Sequence, residues 1–119
     1  MSNYTIGDTP LLRDIAQSRY SDFLWVLPFI DVATDGTETE TDLTWCDFEM
    51  KILELDGATV KQTLTVGAGI TVVDNVVSVA MALADFADWT KGCKYPYRFT
   101  FINADDFTKC LFEGKFIIS

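Results

Sequence analysis

The chain has 119 residues, of which 49% are hydrophobic and 23% charged, so it can bury the core of one domain without disulfides or metals. Its 18 acidic and 9 basic residues give a net charge of −9, which disfavours nucleic acid and anionic membrane surfaces as partners. The sequence contains no histidine, which excludes Ser-His and Cys-His catalytic pairs.

The three cysteines are far apart in the sequence, which indicates free thiols rather than a disulfide framework or a zinc site. A bridge of the immunoglobulin type between Cys46 and Cys93 fits their spacing. It lacks the tryptophan that such a domain places in the intervening strand.

Residues 1–14 show neither a helical nor a strand period, and we expect an extended N-terminal arm. Leu11 and Leu12 give this arm apolar groups with which to contact a neighbouring subunit. The first ten residues lack the basic start and apolar run of a signal peptide, and the longest apolar run is too short to span a bilayer as a helix. Residues 15–119 are predicted to form a single domain.

Residues 23–30 carry the first strong strand signal, with apolar residues on both faces. One face holds Phe23, Trp25, Leu27 and Phe29, and the other holds Leu24, Val26, Pro28 and Ile30. Because a strand of a small sandwich should have one polar face, the second face must be covered by the same chain or by another protein. Pro28 has no N–H to donate, which predicts an edge or a bend, and the same holds for Pro96.

Residues 35–42 form an acidic loop. The spacing of its carboxylates does not match the calcium-binding loop of an EF-hand, so a charged surface loop is favoured over a calcium site.

The middle of the chain alternates between strand and turn signals. Strands are predicted over residues 48–52, 60–66, 70–73 and 76–81, with Asp56-Gly57 as a tight turn. Leu83, Phe86 and Trp89 then recur at three-residue steps, which predicts a turn or two of helix that ends at Gly92.

The last 27 residues predict a long hairpin with arms 93–102 and 107–118 and an inward face that is mostly aromatic. A symmetric turn sets Phe99 opposite Cys110, Tyr97 opposite Phe112 and Tyr95 opposite Gly114. Taken together, these elements predict an all-β fold, an immunoglobulin-like antiparallel sandwich of about seven strands with one short helix before the last hairpin.

This order of elements resembles the small β-sandwich domains of tailed-bacteriophage structural proteins. It is similar to the N-terminal domain of upper baseplate proteins and to head-fibre and tail-fibre attachment modules. The likeness is carried by the turn at 42–44, the strands at 48–52, 69–72, 95–99 and 111–116, and the short helical segment before Gly92. The resemblance implies a domain that anchors a fibre or adaptor to the virion as a symmetric oligomer. Because no fibre or receptor-binding domain follows residue 119, we expect a stand-alone decoration, adaptor or attachment subunit.

The predicted function is therefore that of a non-catalytic virion protein, assembled in the host bacterial cytoplasm, with no cofactor and no metal. Its partners are other virion proteins and further copies of itself, without nucleic acid or membrane. The predicted subunit interface consists of Leu11, Leu12, Leu24, Val26, Pro28 and Ile30.

Two other functions stay open at this point. A small glycan- or peptide-binding β-sandwich module would use Trp45, an aromatic side chain on a turn. A hydrolase would need a carboxylate pair from Asp85, Asp88, Asp105 and Asp106. This chemistry requires one carboxyl kept protonated by an apolar site, whereas Asp85 and Asp88 lie on the polar side of the predicted helix.

Overall fold

A computed structural model describes residues 11–44, 46–103 and 108–119, and this part of the chain is almost entirely β. The strands are β1 Leu11–Leu12, β2 Ile15–Gln17, β3 Phe23–Pro28, β4 Ile30–Val32, β5 Glu38–Glu40, β6 Asp47–Leu53, β7 Val60–Val66, β8 Gly69–Val73, β9 Val76–Met81, β10 Lys94–Ile102 and β11 Thr108–Ile118. The predicted all-β class is confirmed.

Nine of these strands belong to one mixed sheet, in the order β1-β11-β10-β6-β7-β8-β9-β3, with β2 also paired to β11. β4 and β5 form a separate two-stranded sheet. The strands β1 and β2 run parallel to β11, and β7 runs parallel to β8, whereas the other pairs of the large sheet are antiparallel. The prediction of about seven antiparallel strands is wrong in number and direction, because alternation identifies a strand but not its neighbour.

The large sheet curls until its β3 end packs against β10 and β11. Trp25 of β3 lies with its ring centroid 5.8 Å from Phe99 and 5.1 Å from Phe112. Phe23 is 5.1 Å from Phe116 in an edge-to-face contact. The inward aromatic face predicted for the last hairpin is therefore the face on which the core is built.

The register of the β10–β11 hairpin differs from the prediction by two residues. Tyr97 pairs with Gly114 and Phe99 with Phe112, and a bulge lies between Phe99 and Thr100. One residue of the shift arises at the turn, where Ile102 pairs with Thr108, and the bulge supplies the other. Because a shift of two keeps the side-chain parity, the aromatic residues still point inward. Cys110, however, pairs with Thr100 outside the core.

The predicted helix after β9 is a 3-10 turn of four residues, Leu83–Phe86, and the described residues contain no α-helix. The Asp85 carboxylate accepts the Ala82 N–H at 3.1 Å and caps this turn. Phe86 and Trp89 are buried, and Gly92, at φ 87°, donates its N–H to Ile118. The three-residue period instead reflects burial: the rings of Phe86 and Trp89 both contact Phe116 of β11. No helix among the described residues is long and apolar enough to cross a membrane.

The two strand prolines lie where no ladder hydrogen bond is lost. Pro28 ends β3, which is the last strand of the large sheet. Pro96, predicted at an edge or a bend, lies in the strand β10 where only β11 is paired with it. It avoids a penalty because the pairing of β10 with β6 begins only at Tyr97.

Gly114 allows the N-terminal strands to lie against β11. The Arg13 N–H donates to the carbonyl of Glu113 at 2.9 Å, and a carboxylate oxygen of Asp14 accepts the Lys115 N–H at 2.9 Å. A Cβ on Gly114 would lie 2.2 Å from the Arg13 carbonyl oxygen. This close approach requires glycine at position 114.

We expect Gly114→Ala to lower the free energy of unfolding by about 1–3 kcal/mol, because the added methyl displaces the backbone at Arg13. Amide hydrogen exchange should accelerate at Arg13 but not in β3. Gly36→Ala serves as the control, since a Cβ there meets nothing within 4 Å and only the local turn is strained. An unchanged exchange rate at Arg13 in the Gly114 variant would contradict this account.

Asp56 closes the turn between β6 and β7. Its carboxylate accepts hydrogen bonds from the Thr59 hydroxyl at 2.7 Å and from the Ala58 and Thr59 N–H groups at 2.9 Å. These bonds, with the Thr59 hydroxyl as the largest cause, lower the pKa of Asp56 to about 2.

We expect a carboxyl NMR titration to place Asp56 near pH 2, and Thr59→Val to raise that pKa towards 3.8. Since the folded pKa lies below the unfolded value, the turn contributes its full stabilisation above pH 3.8 and loses it as the pH falls through about 2. Thr71→Val, the same change on an exposed strand position, should leave the titration unchanged. A wild-type value near 3.8 would show that the Thr59 bond is not formed in solution.

Candidate functional site

The residues predicted as chemical candidates do not converge in the described part of the chain. Asp85 and Asp88 are exposed, and no group of three or more Cys, Asp or Glu residues there is placed to hold a metal ion. Trp45, Asp105 and Asp106, like most of the N-terminal arm (residues 1–10), lie outside the described residues.

The predicted acidic loop, residues 35–42, contains the strand β5 and the turns on either side of it. Its carboxylates bond to neighbouring threonines: Asp35 accepts the Thr37 N–H at 2.9 Å, and Asp42 accepts the Thr44 N–H at 3.0 Å. Bonds to Thr37 lower the pKa of Asp35, and bonds to Thr44 lower that of Asp42. Local turn formation therefore explains why acids occur at these positions.

All three cysteines are free and partly buried. Burial, followed by the nearby Asp42 carboxylate, raises the pKa of the Cys46 thiol. Burial and the Glu113 carboxylate raise that of Cys110. Both thiols are therefore weaker nucleophiles at neutral pH than an ordinary cysteine.

The outward side of β3, β9 and β8 forms a continuous surface without a charged side chain. We call it the uncharged face, and its members are Leu24, Val26, Thr71, Val73, Ser78 and Ala80. Leu24 pairs with Ala80, and Thr71 pairs with Ser78, so these side chains lie next to one another across the sheet. Leu24 is 66% exposed and Val73 is 61% exposed.

The residues of the predicted interface do not form one surface. Leu24 and Val26 lie on the uncharged face, whereas Pro28 is buried and Ile30 is half-buried on β4. Leu11 and Leu12 lie on β1, at the other end of the sheet order, where Leu12 is 81% exposed. Val73, Thr71 and Ala80 were not among the predicted interface residues, although β8 and β9 contain no charged residue.

Charge is unevenly distributed along the chain and therefore across the sheet. Residues 20–50 and 62–90 hold 11 of the 18 acidic residues and none of the 9 basic ones. These segments contain β3, β4, β5, β8 and β9. Asp22 precedes β3, and Asp74 lies in the turn between β8 and β9, so acids stand at both ends of the uncharged face.

The outward side of β10 and β11 has the opposite character. We call this side, together with Leu12 of β1 and Lys51 of β6 beside it, the cationic face; its members are Leu12, Lys51, Lys94, Arg98 and Lys115. Lys51 pairs with Glu49 at 3.4 Å, whereas Lys94, Arg98 and Lys115 form no ion pair among the described residues. A cleft of about 260 Å³ brings Leu12, Arg98 and Lys115 together, beside Glu113.

In comparisons with known proteins, the chain matches no family model and no curated protein. The site is therefore defined by geometry and charge alone.

Two leucines of β3 test the uncharged face directly. Leu24→Ala should change the free energy of unfolding by no more than about 0.5 kcal/mol, since its side chain is exposed. Leu27→Ala should cost about 2–5 kcal/mol, since Leu27 is fully buried. Urea denaturation of both variants checks the difference, and equal losses would mean that Leu24 is covered in solution.

Proposed function

We propose that this chain is a non-catalytic virion structural protein of a tailed bacteriophage, an adaptor, decoration or fibre-attachment subunit that works through protein–protein contacts. The observation that supports this best is the uncharged face. It leaves Leu24 and Val73 exposed in a chain whose net charge is −9. A surface of this kind is costly in water and is retained where another protein covers it.

The fold is also consistent with the proposal. The sheet curls so that Trp25 of β3 contacts Phe99 of β10 and Phe112 of β11. We interpret this arrangement as a variant of the immunoglobulin-like sandwich implied by the resemblance to phage attachment domains. The core consists of apolar and aromatic side chains, which suits a rigid structural module.

Mass spectrometry of purified phage particles tests the proposal. If the gene for this chain lies among genes for portal, capsid or tail proteins, the protein should be present in the particles at a fixed copy number relative to the major capsid protein. Immunogold labelling should then locate it on the head, neck, tail or baseplate. A protein that is abundant in the infected cell but absent from washed particles would contradict the assignment.

A further inference from the structure

The two contact surfaces lie on opposite sides of the molecule. Trp25 and Leu24 are adjacent in β3, so their side chains point to opposite faces of the sheet. Trp25 points inward, to the rings of Phe99 and Phe112, while Arg98, next to Phe99 in β10, points outward. The uncharged face of β3 and the cationic face of β10 therefore point away from each other.

The two surfaces are also complementary. The uncharged face carries apolar and hydroxyl side chains and has Asp22 and Asp74 at its ends. The cationic face presents the exposed side chain of Leu12 beside Arg98 and Lys115, with Glu113 as the one acidic residue in the cleft. Contact between two copies through the uncharged face alone would instead bring their acidic ends together, which is repulsive.

We infer that copies of this chain associate head to tail, with the uncharged face of one copy on the cationic face of the next. The inference rests on the proposed function, since it names a second copy as the partner of the uncharged face. Contact between two different surfaces is heterologous, so it repeats and gives a closed ring or a filament. This association uses only the two surfaces described above and no bound ligand.

The size of the surface predicts the strength of the contact. Three strands of about six residues cover roughly 15 by 20 Å, from a strand spacing of about 4.8 Å and a rise of about 3.3 Å per residue. This footprint is well below the roughly 800 Å² per partner that a stable interface buries. We therefore expect weak association that is visible near millimolar protein, and stronger association on a virion, where neighbouring copies are held close together.

Sedimentation velocity of two variants and their mixture tests the direction of the contact. One variant carries Leu24→Asp and Val73→Asp on the uncharged face, and the other carries Arg98→Glu and Lys115→Glu on the cationic face. Each variant alone should be monomeric, and an equimolar mixture should form a 1:1 heterodimer and nothing larger. The heterodimer forms because each variant keeps the surface that the other lacks.

Other outcomes overturn the inference. A cationic-face variant that still dimerises alone would show a symmetric contact through the uncharged face, and an uncharged-face variant that dimerises would show the reverse. A wild-type chain that stays monomeric near 1 mM would exclude self-association. Ala80→Asp and Lys94→Glu replace the first variants if circular dichroism shows that those are unfolded.

Salt and an unrelated leucine provide the controls. Raising the salt concentration from about 20 mM to about 500 mM should weaken a head-to-tail contact, because it screens the attraction between the cationic face and the acids at the ends of the uncharged face. The same change should strengthen a contact between two uncharged faces, because it screens the repulsion between their acidic ends. Leu55→Asp changes an exposed leucine that belongs to neither face, and it should leave association unchanged.

The two proposals fail separately. A chain that is present in virions but monomeric in solution, even near 1 mM, would retain the proposed function and lose the head-to-tail contact. A chain that associates head to tail but is absent from particles would lose the phage assignment alone.

Discussion

The packing of Trp25 against Phe99 and Phe112 is the contact on which the rest of the structure depends. It joins strands at opposite ends of the sheet order, so it forces the sheet to curl and defines an inside. Once the inner face of the sheet is fixed, each strand residue lies in the core or on the surface, because successive side chains point to opposite faces. The indole N–H of Trp25 is buried without a hydrogen-bond partner among the described residues, an energetic cost that the ring contacts must offset.

The edges of the sheet are treated differently at its two ends. On the β11 side, β1 and β2 cover the edge, and Gly114 lets the backbone at Arg13 approach closely. On the other side, β3 ends the sheet order and carries the exposed Leu24. The β3 end of the sheet is therefore uncharged and open to a partner. This feature links the architecture to the proposed role in assembly.

The charge distribution favours contact between two different surfaces over contact between two identical ones. Acidic residues predominate around β3, β5 and β9, and the basic residues belong to the rest of the chain. Net charge alone predicts repulsion between copies. The separation of charge over the fold allows attraction between unlike surfaces, and the curl of the sheet places those surfaces on opposite sides.

The sequence alone determined the β class, the strands β3 and β6 to β11 and which of their faces are apolar, because a period of two is a local property of the chain. It did not predict β1, β2 and β5, which are short and lack a clear period of two. It identified Leu24 as surplus apolar surface and placed Tyr97 and Phe99 inward. It did not determine that β1 pairs in parallel with β11, that a bulge follows Phe99, or that the helical period at Leu83 ends after one turn. These features arise from contacts between residues distant in sequence, such as Arg13 with Gly114 and Trp25 with Phe112. Only the tertiary structure decided them, because a pattern along one strand carries no information about the strand beside it.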